Sequence, residues 1–195
     1  MKIFGITGPT GAGKSLLCQE LAKHLPIIDA DEVYHSLLLP PSDCLTALRN
    51  TFGDSIFLPN GSLDRTALSA IVFSEEEKLA LLNRTVLDFV LQKIRAIIAQ
   101  LETTGQSAVA VDGPTLIESG FYKECDIVIS VLASPTLRLS RIMARDSLSE
   151  EKAVLRMKAQ PNDDFYRTNS DLILVNNGNP DEFFDKVRAL IDTLL

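Results

Sequence analysis

Short, nearly continuous apolar runs recur along the chain, and most of them end in an acid or a turn. Lys2 to Thr7 carries Ile3, Phe4 and Ile6 into a glycine-rich turn, which predicts a strand buried on both faces, as central parallel strands are. The pattern repeats in Ile27-Ile28 before Asp29-Ala30-Asp31, in Ala108 to Val111 before Asp112, in Asp126 to Val131, and in Leu172 to Val175 before Asn176-Asn177-Gly178. Between these runs the spacing becomes helical. Leu17, Leu21, Ala22 and Leu25 predict a first helix over Lys14 to Leu25, ended by Pro26. Ser74-Glu75-Glu76-Glu77 reads as a capping box. It opens a long helix that carries Leu79, Leu82, Val86, Phe89, Val90, Ile94, Ile97 and Leu101 on one face to a stop near Gly105. Ser134-Pro135 and Ser149-Glu150-Glu151 start two further helices, and Asn179-Pro180-Asp181-Glu182 caps a closing one with Phe183, Phe184, Val187, Leu190, Ile191 and Leu194 toward the sheet.

Strands that alternate with helices predict an α/β fold, a parallel sheet of about five strands flanked by helices. From Asp31 to Thr103 no convincing strand occurs, and short helices are broken at Pro40-Pro41, Phe52-Gly53 and Pro59-Asn60-Gly61. That stretch reads as a helical lobe inserted between the second and third strands, a natural holder for a second substrate. The expected layout is a single domain over 1–195, with a core of 1–31, 104–137 and 168–195, a lobe over 32–103 and a helical lid over 138–167.

Composition narrows the class. The 195 residues are 46% hydrophobic, enough for one domain with a real core. A net charge of -7 argues against an extended nucleic-acid footprint, which needs a basic face. Cys18, Cys44 and Cys125 are odd in number and lack metal-site spacing, so they read as core or reduced surface thiols. Met1 runs straight into the first strand, and no apolar run is long enough to span a membrane, so a cytoplasmic protein is expected, as a monomer or weak homo-oligomer.

The chemistry gathers at Gly8-Pro9-Thr10-Gly11-Ala12-Gly13-Lys14-Ser15, which fits G-x-x-x-x-G-K-[ST] between a strand and a helix. Glycines let such a loop curl so that its N–H groups converge on phosphates at the positive end of the helix dipole. This makes the sheet one of P-loop NTPase type and predicts an ATP site over Gly11, Ala12, Gly13, Lys14, Ser15 and Leu16. Lys14 is expected on the β and γ phosphates and the Ser15 hydroxyl on Mg²⁺. The acids at strand ends fall on the edge where α/β proteins bind ligands. Asp31 is a candidate base for an attacking hydroxyl and Asp29 a helix cap, although either acid could serve as the cap. Asp112 is a Walker B-like candidate for Mg²⁺, or a loop cap.

Arg138, Arg141 and Arg145 share one helical face. Arg138 reads as solvated surface, while Arg141 and Arg145 read as phosphate clamps in a lid that excludes water, together with the helix bearing Arg156 and Gln160. Asn176 and Gly178 lie in a loop that could read adenine, against the alternative of a plain turn.

These residues resemble the dephospho-CoA kinase family over nearly the whole chain. The likeness rests on Gly5-Ile6-Thr7-Gly8, Asp29-Ala30-Asp31, Gly61-Ser62-Leu63-Asp64-Arg65, Val72-Phe73 and Leu82-Asn83. It continues through Asp112-x-Pro114-x-Leu116-x-Glu118, Arg141-x-x-x-Arg145, Arg156-x-x-x-Gln160 and Asp171-x-x-x-x-Asn176-x-Gly178. The resemblance implies transfer of the ATP γ phosphate to the ribose 3'-hydroxyl of dephospho-CoA, with Mg²⁺. It implies Asp31 as base, Lys14 and Arg141 as phosphate clamps, Ser15 as metal ligand and the lobe as the CoA-side domain. The chain departs from the family pattern at Pro9 for Gly, Leu16 for Thr, His35 for Arg, Leu87-Asp88 for His-Pro and Tyr166 for Lys. Alternatives are another P-loop kinase acting on a nucleotide or metabolite hydroxyl, and an ATP-binding protein without catalysis. A GTPase-like switch would need N-K-x-D, which Asn176-Asn177-Gly178-Asn179 is not.

Overall fold

The computed structural model describes residues 1–72 and 75–195, which form two compact units, Met1–Ile27 with Thr104–Leu195, and Ile28–Thr103. The expected capping box at Ser74 and the Val72-Phe73 motif fall partly outside the described residues.

In the first unit β1 (Lys2–Thr7) leads into α1 (Lys14–Leu21), and β2 (Ile27–Asp29) begins at its boundary. It resumes with β3 (Ala108–Asp112) and β4 (Ile127–Leu132). The helices α6 (Pro135–Asp146), α7 (Glu150–Lys158) and α8 (Asp163–Thr168) follow, then β5 (Leu172–Val175) and α9 (Pro180–Leu194). The five strands lie in the order β2-β3-β1-β4-β5. The pairs β1–β3, β1–β4 and β4–β5 are parallel, with Ile6 opposite both Asp112 and Ile129. The apolar runs have their physical reason here, because β1, β3 and β4 are covered on both faces. Phe4, Ile6, Ala110, Ile129 and Val131 pack with Leu17 and Leu21 of α1 and with Phe183, Val187 and Ile191 of α9.

The first helix is shorter than its apolar spacing predicts. Leu25 is buried, yet α1 stops at Leu21 because Lys23 and His24 donate to carbonyls only three residues back, Glu20 at 3.2 Å and Leu21 at 2.9 Å. Such tightening is usual in a last turn. After α6 the chain turns at Ser147 in the left-handed region, φ 52°, a conformation that a side chain disfavours.

The second unit comprises α2 (Ala30–Leu37), α3 (Asp43–Phe52), α4 (Arg65–Val72) and α5 (Glu76–Thr103). Gly53 and Gly61, both at positive φ, make two of the turns that the sequence predicts. Its core joins Cys44, Leu45, Leu48, Ile56, Leu68 and Val72 to Leu82 and Val86 of the long helix. Leu48 is fully buried there, so Leu48→Ala should lower stability by about 2–5 kcal/mol in a urea titration. Leu155→Ala, on an exposed face, should change it by less than about 0.5 kcal/mol.

Candidate active site

The loop from Gly8 to Gly13 turns the chain from the end of β1 into α1. Gly13 is the N-cap at φ 101° and, having no side chain, gives the first-turn N–H groups no cap of its own, an arrangement that suits an anion. Within the loop Ala12 N–H donates to Pro9 O at 3.2 Å. Two glycines are required sterically as well as for φ. A Cβ at Gly11, φ 78°, would sit 2.8 Å from Arg138 O, and one at Gly13 would collide with Asn176 Nδ2.

Peptide N–H and C=O groups point oppositely, so a loop that aims its N–H groups at a ligand needs other partners for its carbonyls. They are present. Arg141 NH1 donates to Gly11 O at 3.2 Å and Ala12 O at 3.4 Å, and its NH2 donates to Asn176 O at 3.2 Å. Asn176 is 2% exposed, and its Nδ2 donates to Ala12 O at 2.8 Å. This corrects the adenine-reading role expected of the Asn176 amide, which is committed to the loop. Gly178 lies beside the exposed and flexible Glu182 carboxylate, and neighbouring Asn177 Oδ1 accepts Ser134 N–H at 2.7 Å. Arg141 likewise holds loop carbonyls, so its positive charge reaches the site through the loop itself.

Arg138 is not solvated surface. It is 5% exposed, its Nε donates to Thr10 O at 3.0 Å, and its NH1 lies 3.5 Å from Asp163 Oδ1. Burial pulls the guanidinium down from its ordinary range, and Asp163 opposes that. The third arginine, Arg145, forks onto the Asp146 carboxylate at 2.8 and 2.9 Å and also reaches Thr10 Oγ1 at 3.3 Å. Hydrogen bonding from Arg145 holds the Asp146 carboxyl below its usual range, and Arg156 NH1 joins the same carboxylate at 2.7 Å.

At the head of α1, Lys14 Nζ pairs with Asp112 Oδ1 at the end of β3, and Cys18 Sγ lies 3.3 Å from Asp112 Oδ2. Ser15 is exposed in the first turn of α1 and Leu16 half-buried. Lys14 and Asp112, expected from the sequence as phosphate clamp and metal-binding acid, therefore meet, with Asp112 opposite Ile6 at the end of β1.

In the second unit Asp29 is the N-cap of α2, accepting the N–H groups of Asp31 at 2.8 Å and Glu32 at 3.2 Å. Asp31 occupies the exposed first turn of that helix. A cleft in the same unit is lined by Tyr34, His35, Leu38, Arg65, Leu68 and Leu82.

Several partners escape sequence reasoning. Gln160 Oε1 accepts Thr10 N–H at 2.8 Å, and Asp146 and Asp163 hold arginines. Tyr166 is fully buried, its hydroxyl has no hydrogen-bond partner among the described residues, and burial pushes its pKa up to about 12. Thr10 is silent because its motif position accepts any residue. Gln160 was visible only as part of a spaced pair with Arg156.

A parallel sheet of this order, with a phosphate loop at the end of its central strand, defines the P-loop kinase fold. Shikimate kinase from Acinetobacter baumannii shares that fold with a TM-score of 0.56 at 19% identity, over 100% of this chain and 96% of its own. The family model described as dephospho-CoA kinase matches residues 2–182. A dephospho-CoA kinase of Arabidopsis thaliana is 35% identical over 96% of this chain and 82% of its own length. One of Thermobifida fusca is 32% identical over 97% and 94%. The structure of dephospho-CoA kinase from Campylobacter jejuni matches with a TM-score of 0.73 at 26% identity, over 98% of this chain and 96% of that one. The chain belongs to the dephospho-CoA kinase family.

Asn176→Ala should cost about 1–3 kcal/mol in chemical denaturation, since it removes the buried donor to Ala12 O. It should also weaken ADP binding.

Proposed function

We propose that the protein transfers the γ phosphate of ATP to the ribose 3'-hydroxyl of dephospho-CoA, giving CoA and ADP. The observation that carries this reading is the phosphate loop, with Lys14 on Asp112, in a chain matched by the family model over residues 2–182. The 3'-oxygen forms the new bond to the γ phosphorus, the bond from that phosphorus to the β–γ bridging oxygen breaks, and the hydroxyl proton passes to Asp31. Lys14 exchanges Asp112 for the β and γ phosphates when nucleotide arrives. Arg145 adds positive charge at the loop.

The hard oxygens of Ser15 and Asp112 suit Mg²⁺, and Lys14, next to Ser15 in the chain, already touches Asp112. Bound there, the metal would neutralise charge developing on the phosphates. Asp112 is then the carboxylate that Lys14 gives up on nucleotide binding.

The lobe over 32–103 holds the acceptor, and its cleft offers the apolar walls of Leu38, Leu68 and Leu82 beside the polar His35 and Arg65. The segment 138–167 serves as the lid that keeps water from the γ phosphate. A small-molecule acceptor, a cytoplasmic setting and a monomer or weak homo-oligomer complete the reading.

An ADP-release assay with dephospho-CoA against nucleosides and shikimate-like alcohols tests it, with dephospho-CoA expected to be strongly preferred. Turnover of a nucleoside at the same rate would reject the assigned acceptor. Asp31→Asn should lower kcat by about 10² or more while KM for ATP stays nearly unchanged, the signature of a lost general base. Lys14→Ala should damage both constants.

A further inference from the structure

We propose that Gln160 and Arg138 are positioning residues that set the shape of the phosphate loop by gripping the two peptide units that meet at Thr10, an inference that rests on the nucleotide-binding reading of that loop. The N–H of Thr10 belongs to the peptide joining it to Pro9, and its C=O to the peptide joining it to Gly11. Gln160 Oε1 accepts the first at 2.8 Å, and Arg138 Nε donates to the second at 3.0 Å. Each peptide is a rigid plane, so fixing both leaves the backbone of Thr10 little freedom.

Three observations on different atoms support the grip. Arg145 NH2 donates to the Thr10 hydroxyl at 3.3 Å, so every polar group of this residue has a partner drawn from α6 or from the turn after α7. Gly11, the next residue, lies so close to the backbone of Arg138 that a Cβ would come 2.8 Å from its carbonyl oxygen and 3.1 Å from its Cα. Arg138 is itself buried and faces Asp163 at the start of α8, an arrangement that holds its guanidinium in place.

The grip acts on nucleotide affinity rather than on acceptor chemistry. A loop whose first peptides are free to rotate must order on binding, and that ordering subtracts from affinity. The N–H of Thr10 needs an acceptor, and either an amide or a carboxylate oxygen supplies one at residue 160.

The test measures ADP binding by titration calorimetry, and the KM for each substrate, in the wild-type chain, Gln160→Leu and Gln160→Glu. Gln160→Leu should weaken ADP binding about tenfold, while Gln160→Glu should stay within about threefold of wild type. The KM for dephospho-CoA should move less than about twofold in both, a split that general loss of folded protein does not produce. Arg138→Lys, which keeps the charge but not the fork, should fall between the two Gln160 variants. ADP binding by Gln160→Leu equal to wild type, or an equal loss in Gln160→Glu and Gln160→Leu, overturns the proposal. A wild-type chain that binds no ADP overturns the nucleotide reading and the grip with it, so the two failures are distinguishable.

Discussion

The structure depends on one constraint of backbone chemistry, that a loop cannot turn its N–H groups toward an anion without turning carbonyls toward something else. Water could take those carbonyls in an exposed loop, but here they meet Arg138, Arg141 and Asn176. Two of these three donors are arginines, so the loop's carbonyls draw positive charge to it as well as hydrogen bonds. The acidic balance of the whole chain, -7, makes that local concentration of cations the more necessary.

The same constraint explains how distant parts of the chain converge. Residues 10–12 are supported by the face of α6 and by the residue that follows β5, both in the C-terminal part of the chain. Parallel strands make this possible, because β1, β4 and β5 bring their carboxyl ends to one edge, and the turns after them share that edge. Lys14 and Asp112 form the other half of the arrangement. Their pairing keeps a lysine and a carboxylate satisfied in a half-buried site, and either partner alone there would cost more than the pair.

Much of this was legible in the chain. Apolar runs ending in acids located the strands, since buried parallel strands cannot alternate with polar residues, and the phosphate loop was unmistakable because its glycines and lysine have fixed places. Other roles were illegible for a physical reason. The spacing of Arg138, Arg141 and Arg145 told which helix face they share but not what that face meets, and the partner of Arg138 lies 128 residues away. Asn176 reads from the sequence as a ligand-reading group because its loop follows a strand to the ligand edge, whereas its amide is buried and donates to Ala12 O. The bond between Gln160 and Thr10 was illegible even though Gln160 stands in a spaced pair with Arg156, because a single side-chain bond to a backbone group leaves no periodic trace.

The central claim is that the loop is shaped by its protein neighbours before nucleotide arrives. Amide hydrogen exchange in the nucleotide-free chain measures this directly, at Thr10, whose N–H is bound by Gln160, and at Ala12, whose N–H is bound by Pro9 O. The account predicts that both amides exchange far more slowly than in an unstructured peptide. Exchange at the unstructured rate, slowed only once ADP is added, would contradict it.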